Sequence, residues 1–173
     1  GPNRDVNSIM NQLRALLQDE ARDDVVMGVA VQAMNVLLSH GHETQARETL
    51  DLIVAAFKDS QDPNLVQETV RLAEQALFLD TQIEVKFNAL VANREGAEGE
   101  FITELTNILA RPAPGSLTLE QGSRYIGVLQ QTGHYATARK VCEMYQETYS
   151  KSSDEALKQQ AENITQMALR RIG

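Results

Sequence analysis

The sequence of 173 residues predicts an all-α protein, an antiparallel stack of helical hairpins with about eight or nine helices. Apolar residues recur at the three- and four-residue spacing of amphipathic helices along almost the whole chain. Most of the ten glycines and four prolines stand between these periodic runs, where helices end. The alternation typical of strands and the Asn-Gly or Asp-Gly turns of hairpins are absent from the sequence.

The first three predicted helices cover residues 4–18, 23–39 and 43–58. The first has one apolar stripe, formed by Val6, Ile9, Met10, Leu13, Leu16 and Leu17. Asp23 and Asp24 open the second helix, where acidic side chains favour the helix dipole. Because the second helix is apolar on much of its circumference, we expect it to be the most buried element.

Three more helices are predicted in the middle of the chain. Pro63 follows a polar break and suits a helix start, where its missing N–H costs nothing. A short corner is expected at Asp80–Thr81, followed by a fifth helix that begins near Ile83. A polar loop over residues 93–99 then precedes a sixth helix over 100–110.

The strongest linker signal is residues 111–116, which include Pro112, Pro114 and Gly115. We therefore expect a single helical domain over residues 3–173 with a possible sub-boundary at 111–116. A seventh helix is predicted over 118–131 and an eighth over 135–149. The cluster Ser152-Ser153-Asp154 supplies good N-cap residues for a ninth.

One short pattern occurs at two predicted helix-to-helix corners. In both places an amphipathic run stops at Gly-His, and an Ala-Arg pair follows at the same offset in the next run. Glycine takes the left-handed conformation that ends a helix without strain, and alanine lets two helices approach closely. The predicted structural corner residues are Gly41, His42, Ala46, Gly133, His134, Tyr135 and Ala138.

The second corner, Gly133-x-Tyr135-x-x-Ala138 preceded by Leu129, resembles the hairpin corner of a tetratricopeptide repeat. Residues 73–81 are similar to the end of such a repeat's second helix. This resemblance implies a helical-hairpin stack that binds a peptide on a concave surface.

The first corner departs from the family pattern, since Glu43 stands where the aromatic residue belongs. The two corners lie 92 positions apart (133 minus 41), which is not a multiple of the period of about 34 residues. A tetratricopeptide repeat alternates a first helix (A) with a second (B). If the third helix is of type B, the seventh should be of type B as well, but its corner indicates type A. We therefore predict an irregular, tetratricopeptide-like α-solenoid.

The tail, residues 154–173, resembles the last helix of the helical regions that precede thioredoxin-fold domains in some bacterial redoxin-like proteins. This resemblance implies an accessory helical domain whose catalytic partner lies elsewhere in a larger protein. The chain begins with Gly1-Pro2 and no initiator methionine. We therefore expect residues 1–2 to be the remnant of a cleaved tag and the domain to be excised from a longer protein.

Charge and composition exclude several functions. The formal net charge of −8 disfavours binding to the phosphates of nucleic acids. The sequence contains no run of 18 apolar residues, so no membrane span is predicted. Cys142 is the only cysteine and lies on an apolar stripe, so we expect a buried thiol; activation by Arg139 and Lys140 is the alternative. The compartment is not determined, because both the bacterial cytoplasm and the periplasm are compatible with one cysteine.

No constellation of residues predicts catalysis. The three histidines, His40, His42 and His134, form no His-Glu-x-x-His pattern. The acidic pairs lie at helix ends and in a polar loop, where carboxyl groups stay solvated. We therefore predict no catalytic residue, no cofactor and no metal ligand, and a protein that is not an enzyme.

Tyrosine and arginine are typical anchors of protein interfaces, and all four tyrosines lie in the last third of the chain. The predicted peptide-contacting residues are Arg124, Tyr125, Tyr145 and Tyr149. Packing of the tyrosines between the last three helices is the alternative. The leading hypothesis is a non-catalytic interaction or scaffolding domain whose partner is a protein, a peptide or another domain of the same chain. The alternative hypothesis is an accessory domain of a thioredoxin-like enzyme.

Overall fold

A computed structural model describes residues 2–19 and 22–172 of the chain. Gly1, which belongs to the expected tag remnant, and Gly173, the last residue of the expected domain, lie outside the described residues. Within the described ranges the chain is all-α, as predicted, and neighbouring helices pack as antiparallel hairpins. The described residues form nine helices: α1 (Pro2–Gln18), α2 (Asp24–Ser39), α3 (Glu43–Phe57), α4 (Pro63–Thr81), α5 (Ile83–Val91), α6 (Ala97–Leu109), α7 (Ser116–Gln131), α8 (Tyr135–Ser150) and α9 (Glu155–Ile172).

Two helix boundaries differ from the sequence prediction because of single left-handed residues. The corner expected at Asp80–Thr81 lies one residue later, at Gln82, whose φ is +54°. Helix α6 begins at Ala97 rather than near residue 100, since Gly96 turns the chain at φ +78° directly before it. Gly96 lies inside the segment that we expected to be loop throughout.

The chain divides into two compact units, Gly1–Ala76 and Leu77–Gly173, and the division falls inside the range of α4. We expected one domain with a possible sub-boundary at 111–116. Those residues instead connect α6 to α7 within the second unit.

The core of the first unit lies between α1, α2, α3 and the first part of α4. Helix α2 contributes one face, formed by Met27, Ala30, Met34 and Leu37. The prediction that this helix is the most buried element is wrong, because its opposite face is open to solvent.

The second unit has an aromatic core. Phe87 of α5, Phe101 of α6 and Tyr125 of α7 contact one another with ring centroids 4.6–5.3 Å apart. Tyr145 and Tyr149 of α8 stack with centroids 6.0 Å apart and an interplanar angle of 7°. Such aromatic pairs add to the stability gained from burial.

Candidate interaction surfaces

The two Gly-His corners share one backbone geometry. Gly41 and Gly133 have φ values of +79° and +80°. At each corner the histidine N–H donates to the carbonyl five residues earlier, at 2.9 Å for His42 and 2.8 Å for His134. The glycine N–H donates to the carbonyl three residues earlier. Both corners are therefore Schellman motifs, which satisfy carbonyl groups at the end of a helix.

The side chains at these corners have mainly structural positions. Ala46 and Ala138 are buried directly after the corners. Tyr135, by contrast, is exposed at the start of α8 and does not fill the corner. The His40 ring lies against the end of its own helix, with Nδ1 2.9 Å from the carbonyl oxygen of Val36.

A third corner of the same geometry joins α5 to α6, with Asn93 in place of glycine. Its φ is +59°, and its N–H donates to the carbonyl of Leu90 at 2.9 Å. The Gly-His pattern does not reveal this corner, because Asn93 is followed by Arg94. Asparagine tolerates the left-handed region better than most residues, and that tendency was the available signal.

Polar side chains join the α5–α6 hairpin to the α7–α8 hairpin. Nε2 of His134 lies 2.8 Å from Oδ1 of Asn93, so one corner contacts the other. Next to them the Thr137 hydroxyl donates to Glu98 at 2.9 Å. His134 therefore holds two successive hairpins together.

Three of the four predicted peptide-contacting residues lie inside the second unit. Tyr125, Tyr145 and Tyr149 are at most 1% exposed. The hydroxyl of Tyr145 donates to the carbonyl of Thr118 at 3.0 Å, and that of Tyr149 to the carbonyl of Gly115 at 2.6 Å. These rings therefore pack between helices, and they present no surface to a peptide in this conformation.

Gly122 of α7 makes the close packing of Tyr145 possible. A Cβ atom built on Gly122 would lie only 2.2 Å from Cζ of Tyr145. The tyrosine ring therefore occupies the space that any other residue at position 122 would need. Sequence analysis missed this role, since a glycine within a helix is not by itself a sign of close contact.

Arg124 is the one predicted contact residue with an accessible side chain, which is 43% exposed. Its guanidinium group forms an ion pair with Glu84 and donates to Gln121 through Nε at 3.1 Å and Nη2 at 3.0 Å. It also lies over two aromatic rings, 4.8 Å from the centroid of Tyr125 and 5.6 Å from that of Phe87. These contacts fix the orientation of a half-exposed cation.

Glu84 also accepts a hydrogen bond of 3.0 Å from the Tyr125 hydroxyl. Burial of the ring, and secondarily the negative charge of Glu84, raises the pKa of Tyr125 above its usual range. The phenol therefore stays protonated and holds Glu84 beside Arg124. The result is a built polar cluster at the edge of the aromatic core.

A second accessible feature is the outer face of α2. Val25, Val29 and Val36 are 67%, 49% and 46% exposed. Residues 25–39 contain no charged side chain, whereas charged residues make up 23% of the chain. Charged side chains are therefore missing where solvent exposure would favour them.

The remaining residues with reactive chemistry form no site in the described part of the chain. Cys142 is buried in α8, and this burial raises the pKa of its thiol to about 11. Among the residues that the structure describes, no three His, Cys, Asp or Glu side chains are grouped to hold a metal ion. None of the described helices is long and apolar enough to cross a membrane.

No protein-family model, curated protein or solved structure matches this chain significantly.

Proposed function

We propose that this chain is a non-catalytic protein-interaction domain and that the cluster around Arg124 binds a carboxylate of a peptide. The stack would be tetratricopeptide-like, with irregular repeats. The observation that supports this function is a guanidinium group that is half exposed yet held by Gln121, Glu84 and two aromatic rings. A fixed guanidinium group loses little side-chain entropy on binding and matches a carboxylate with two parallel hydrogen bonds.

Glu84 acts as an internal competitor for that carboxylate. It now pairs with the same guanidinium group that an incoming acidic ligand would use. Binding would therefore exchange one carboxylate for another, and the gain would come from contacts along the rest of the peptide. Arrangements of this kind give specificity more than affinity.

The test is a pair of charge-neutralising variants with opposite expected effects. Peptides with acidic residues or a free C-terminal carboxylate are selected by display against the wild-type chain and titrated by isothermal calorimetry. We expect Arg124→Gln to weaken binding at least tenfold, which is typical for loss of an anchor. We expect Glu84→Gln to strengthen binding, since the amide oxygen still accepts from Tyr125 while the competing charge is gone.

Arg139→Gln is the matched control, because Arg139 is an exposed arginine on another helix of the same unit. It changes the net charge by the same amount and should leave the affinity unchanged. If Arg139→Gln and Arg124→Gln weaken binding equally, the effect is general electrostatics and the Arg124 site is rejected. Failure to select any binding peptide also contradicts the proposal.

The second candidate function is an accessory domain of a larger thioredoxin-like enzyme. It is supported by the tail, which forms the single helix α9 with Asp154 accepting from the N–H groups of Ala156 and Leu157. The residues that follow position 173 in the full-length gene test this candidate. A Cys-x-x-Cys motif in a strand–helix pattern favours it, and further helical hairpins contradict it.

A further inference from the structure

The outer face of α2 differs from the outer face of α7, although both helices come first in a hairpin. On α7 the exposed positions include Glu120, Ser123 and Arg124, so this face is polar and charged. On α2 the exposed positions after Asp24 carry no charge; they are Val25, Gly28, Val29, Gln32, Asn35, Val36 and Ser39. Exposed valines grouped on one helix face without a neighbouring charge are the kind of surface that another protein covers.

The spacing of the α2 stripe is that of a helix–helix seam. Val25, Val29, Gln32 and Val36 follow one another at intervals of four, three and four residues, the heptad spacing of coiled coils. This pattern reads the same in both directions. Two antiparallel copies of α2 therefore place Val25 opposite Val36 and Val29 opposite Gln32, so the stripe is complementary to itself.

The charges at the ends of α2 select the antiparallel arrangement. Asp23 and Asp24 follow Arg22 at the N-terminal end, and the C-terminal corner carries His40, His42 and the single carboxylate of Glu43. A parallel pair would bring four carboxylates together. An antiparallel pair separates them by the length of the helix, about 24 Å for 16 residues, and aligns the helix dipoles favourably.

We propose that the outer face of α2 binds the same face of a second copy of this chain, antiparallel and related by a twofold axis. The contact is isologous, since each copy supplies the same residues. Gly28, whose missing Cβ has no neighbour within 4 Å in the chain, lies at the edge of the stripe and leaves room for the partner helix. The contact uses none of the residues of the Arg124 cluster, which belong to the other unit.

The size of the contact sets its strength. One pair of helices of 16 residues buries less than the roughly 800 Å² per partner of a standard interface. Gln32 also places one polar group in each half of the seam. We therefore expect a reversible dimer with a dissociation constant of about 0.1–1 mM, rather than an obligate one.

Sedimentation equilibrium of the full chain over about 0.02–2 mM tests self-association. We expect Val29→Glu to weaken dimerisation at least tenfold, because it places a carboxylate in the middle of the seam. We expect Gln32→Val to strengthen it at least tenfold, because it completes the apolar stripe. Val85→Glu is the matched control: Val85 is an exposed valine on α5, outside the proposed contact.

Disulfide cross-linking tests the orientation. Val25→Cys and Val36→Cys variants are oxidised separately and then as a mixture; the native Cys142 is buried and stays unreactive. Antiparallel pairing predicts a cross-linked dimer only in the mixture, with one chain of each variant. Parallel pairing predicts cross-links in each variant alone.

Several outcomes overturn the proposal. They are a chain that remains monomeric at 2 mM, a dimer that Val29→Glu leaves unchanged or that Val85→Glu weakens equally, and cross-links in the separate variants. If Val29→Glu loses its helical circular dichroism, Gln32→Val becomes the test. The proposal is then overturned if Gln32→Val does not tighten the dimer. Binding of an unrelated helix to a strictly monomeric chain also overturns it, because the occupant is then not a second copy.

Discussion

Replacing Gly122 with alanine adds one atom, the Cβ, and so tests how closely α7 packs against Tyr145 in the second unit. An alanine Cβ at this position would lie 2.2 Å from Cζ, 2.4 Å from Cε1 and 2.7 Å from Cε2 of Tyr145. These distances are far inside van der Waals contact, so the tyrosine ring must move. Because Tyr145 is fully buried, the ring has no free space to enter without displacing other core side chains.

The expected cost follows from what Tyr145 loses. Overpacking a well-packed core costs about 1–3 kcal/mol. A displaced ring also gives up its hydrogen bond to the Thr118 carbonyl, which leaves a buried polar group unpaired at about 1–3 kcal/mol. Alanine returns about 1 kcal/mol through its higher helix propensity. We therefore expect Gly122→Ala to lower the free energy of unfolding by about 1–5 kcal/mol.

Gly127→Ala is the matched control on the same helix. Gly127 also lies inside α7, but a Cβ there meets no atom within 4 Å. Its only expected effect is the gain in helix propensity, a stabilisation of about 0.5–1 kcal/mol. Two glycine-to-alanine changes five positions apart should therefore have opposite signs.

Urea unfolding followed by circular dichroism measures both variants, and thermal unfolding gives a second measure. A shift of about 2–4 °C in Tm per kcal/mol is expected for a chain of this size. A double-mutant cycle identifies the cause: in a Tyr145→Ala background, Gly122→Ala should become neutral or stabilising, because the ring that it would strike is gone. An equal destabilisation in both backgrounds refutes the packing argument, as does any stabilisation of the wild-type background.

Three further predictions concern the corners and the buried thiol. Gly133→Ala should destabilise the chain by about 1–2 kcal/mol in urea unfolding, because alanine is strained at φ +80°. Asn93→Ala should cost about 1 kcal/mol, since it removes the His134 contact and places alanine at a positive φ; a cost equal in a His134→Ala background would show that the contact contributes nothing. Cys142 should react with iodoacetamide only when the chain unfolds. Since burial raises its pKa to about 11, the unfolded thiol ionises first as the pH rises above 9, and stability should fall between pH 9 and 11 more in the wild type than in Cys142→Ala.

The fold was predictable because its signals are local. Apolar spacing and glycine corners fixed the helices to within a few residues, and Gly41 and Gly133 adopt the left-handed conformation that the pattern indicates. The corners at Gln82 and Asn93 were harder to predict. Neither residue type requires a positive φ, and the packing of the adjacent helices imposes it there.

The candidate sites were predictable only in part, because exposure depends on tertiary packing. Arg124 and Tyr125 are adjacent in sequence, yet one is accessible and the other is buried. Helical periodicity separates them by 100° around α7, but the helices that pack against α7, including α8 and α9, decide which direction is inside. For α2 the same limit led to error: a helix that is apolar all round is usually buried, and here one apolar face remains open.

The irregular spacing of the two Gly-His corners has a structural cause in the number of helices between corners. From Asn93 to Gly133 the chain passes two helices, α6 and α7, in 40 positions (133 minus 93). From Gly41 to Asn93 it passes three, α3, α4 and α5, in 52 positions (93 minus 41). Helix α4 is therefore the additional element that reverses the alternation of helix types, and the division between the two units falls inside it.

The proline-rich segment is a connection within the second unit. Six residues, 110–115, separate the end of α6 from the start of α7, and they include Pro112 and Pro114, the strongest linker signal in the sequence. The Tyr149 hydroxyl of α8 donates to the carbonyl of the last of these residues, Gly115, at 2.6 Å. Prolines here therefore mark a connection between two helices that α8 holds in place, whereas the division between the units falls inside a helix without any such signal.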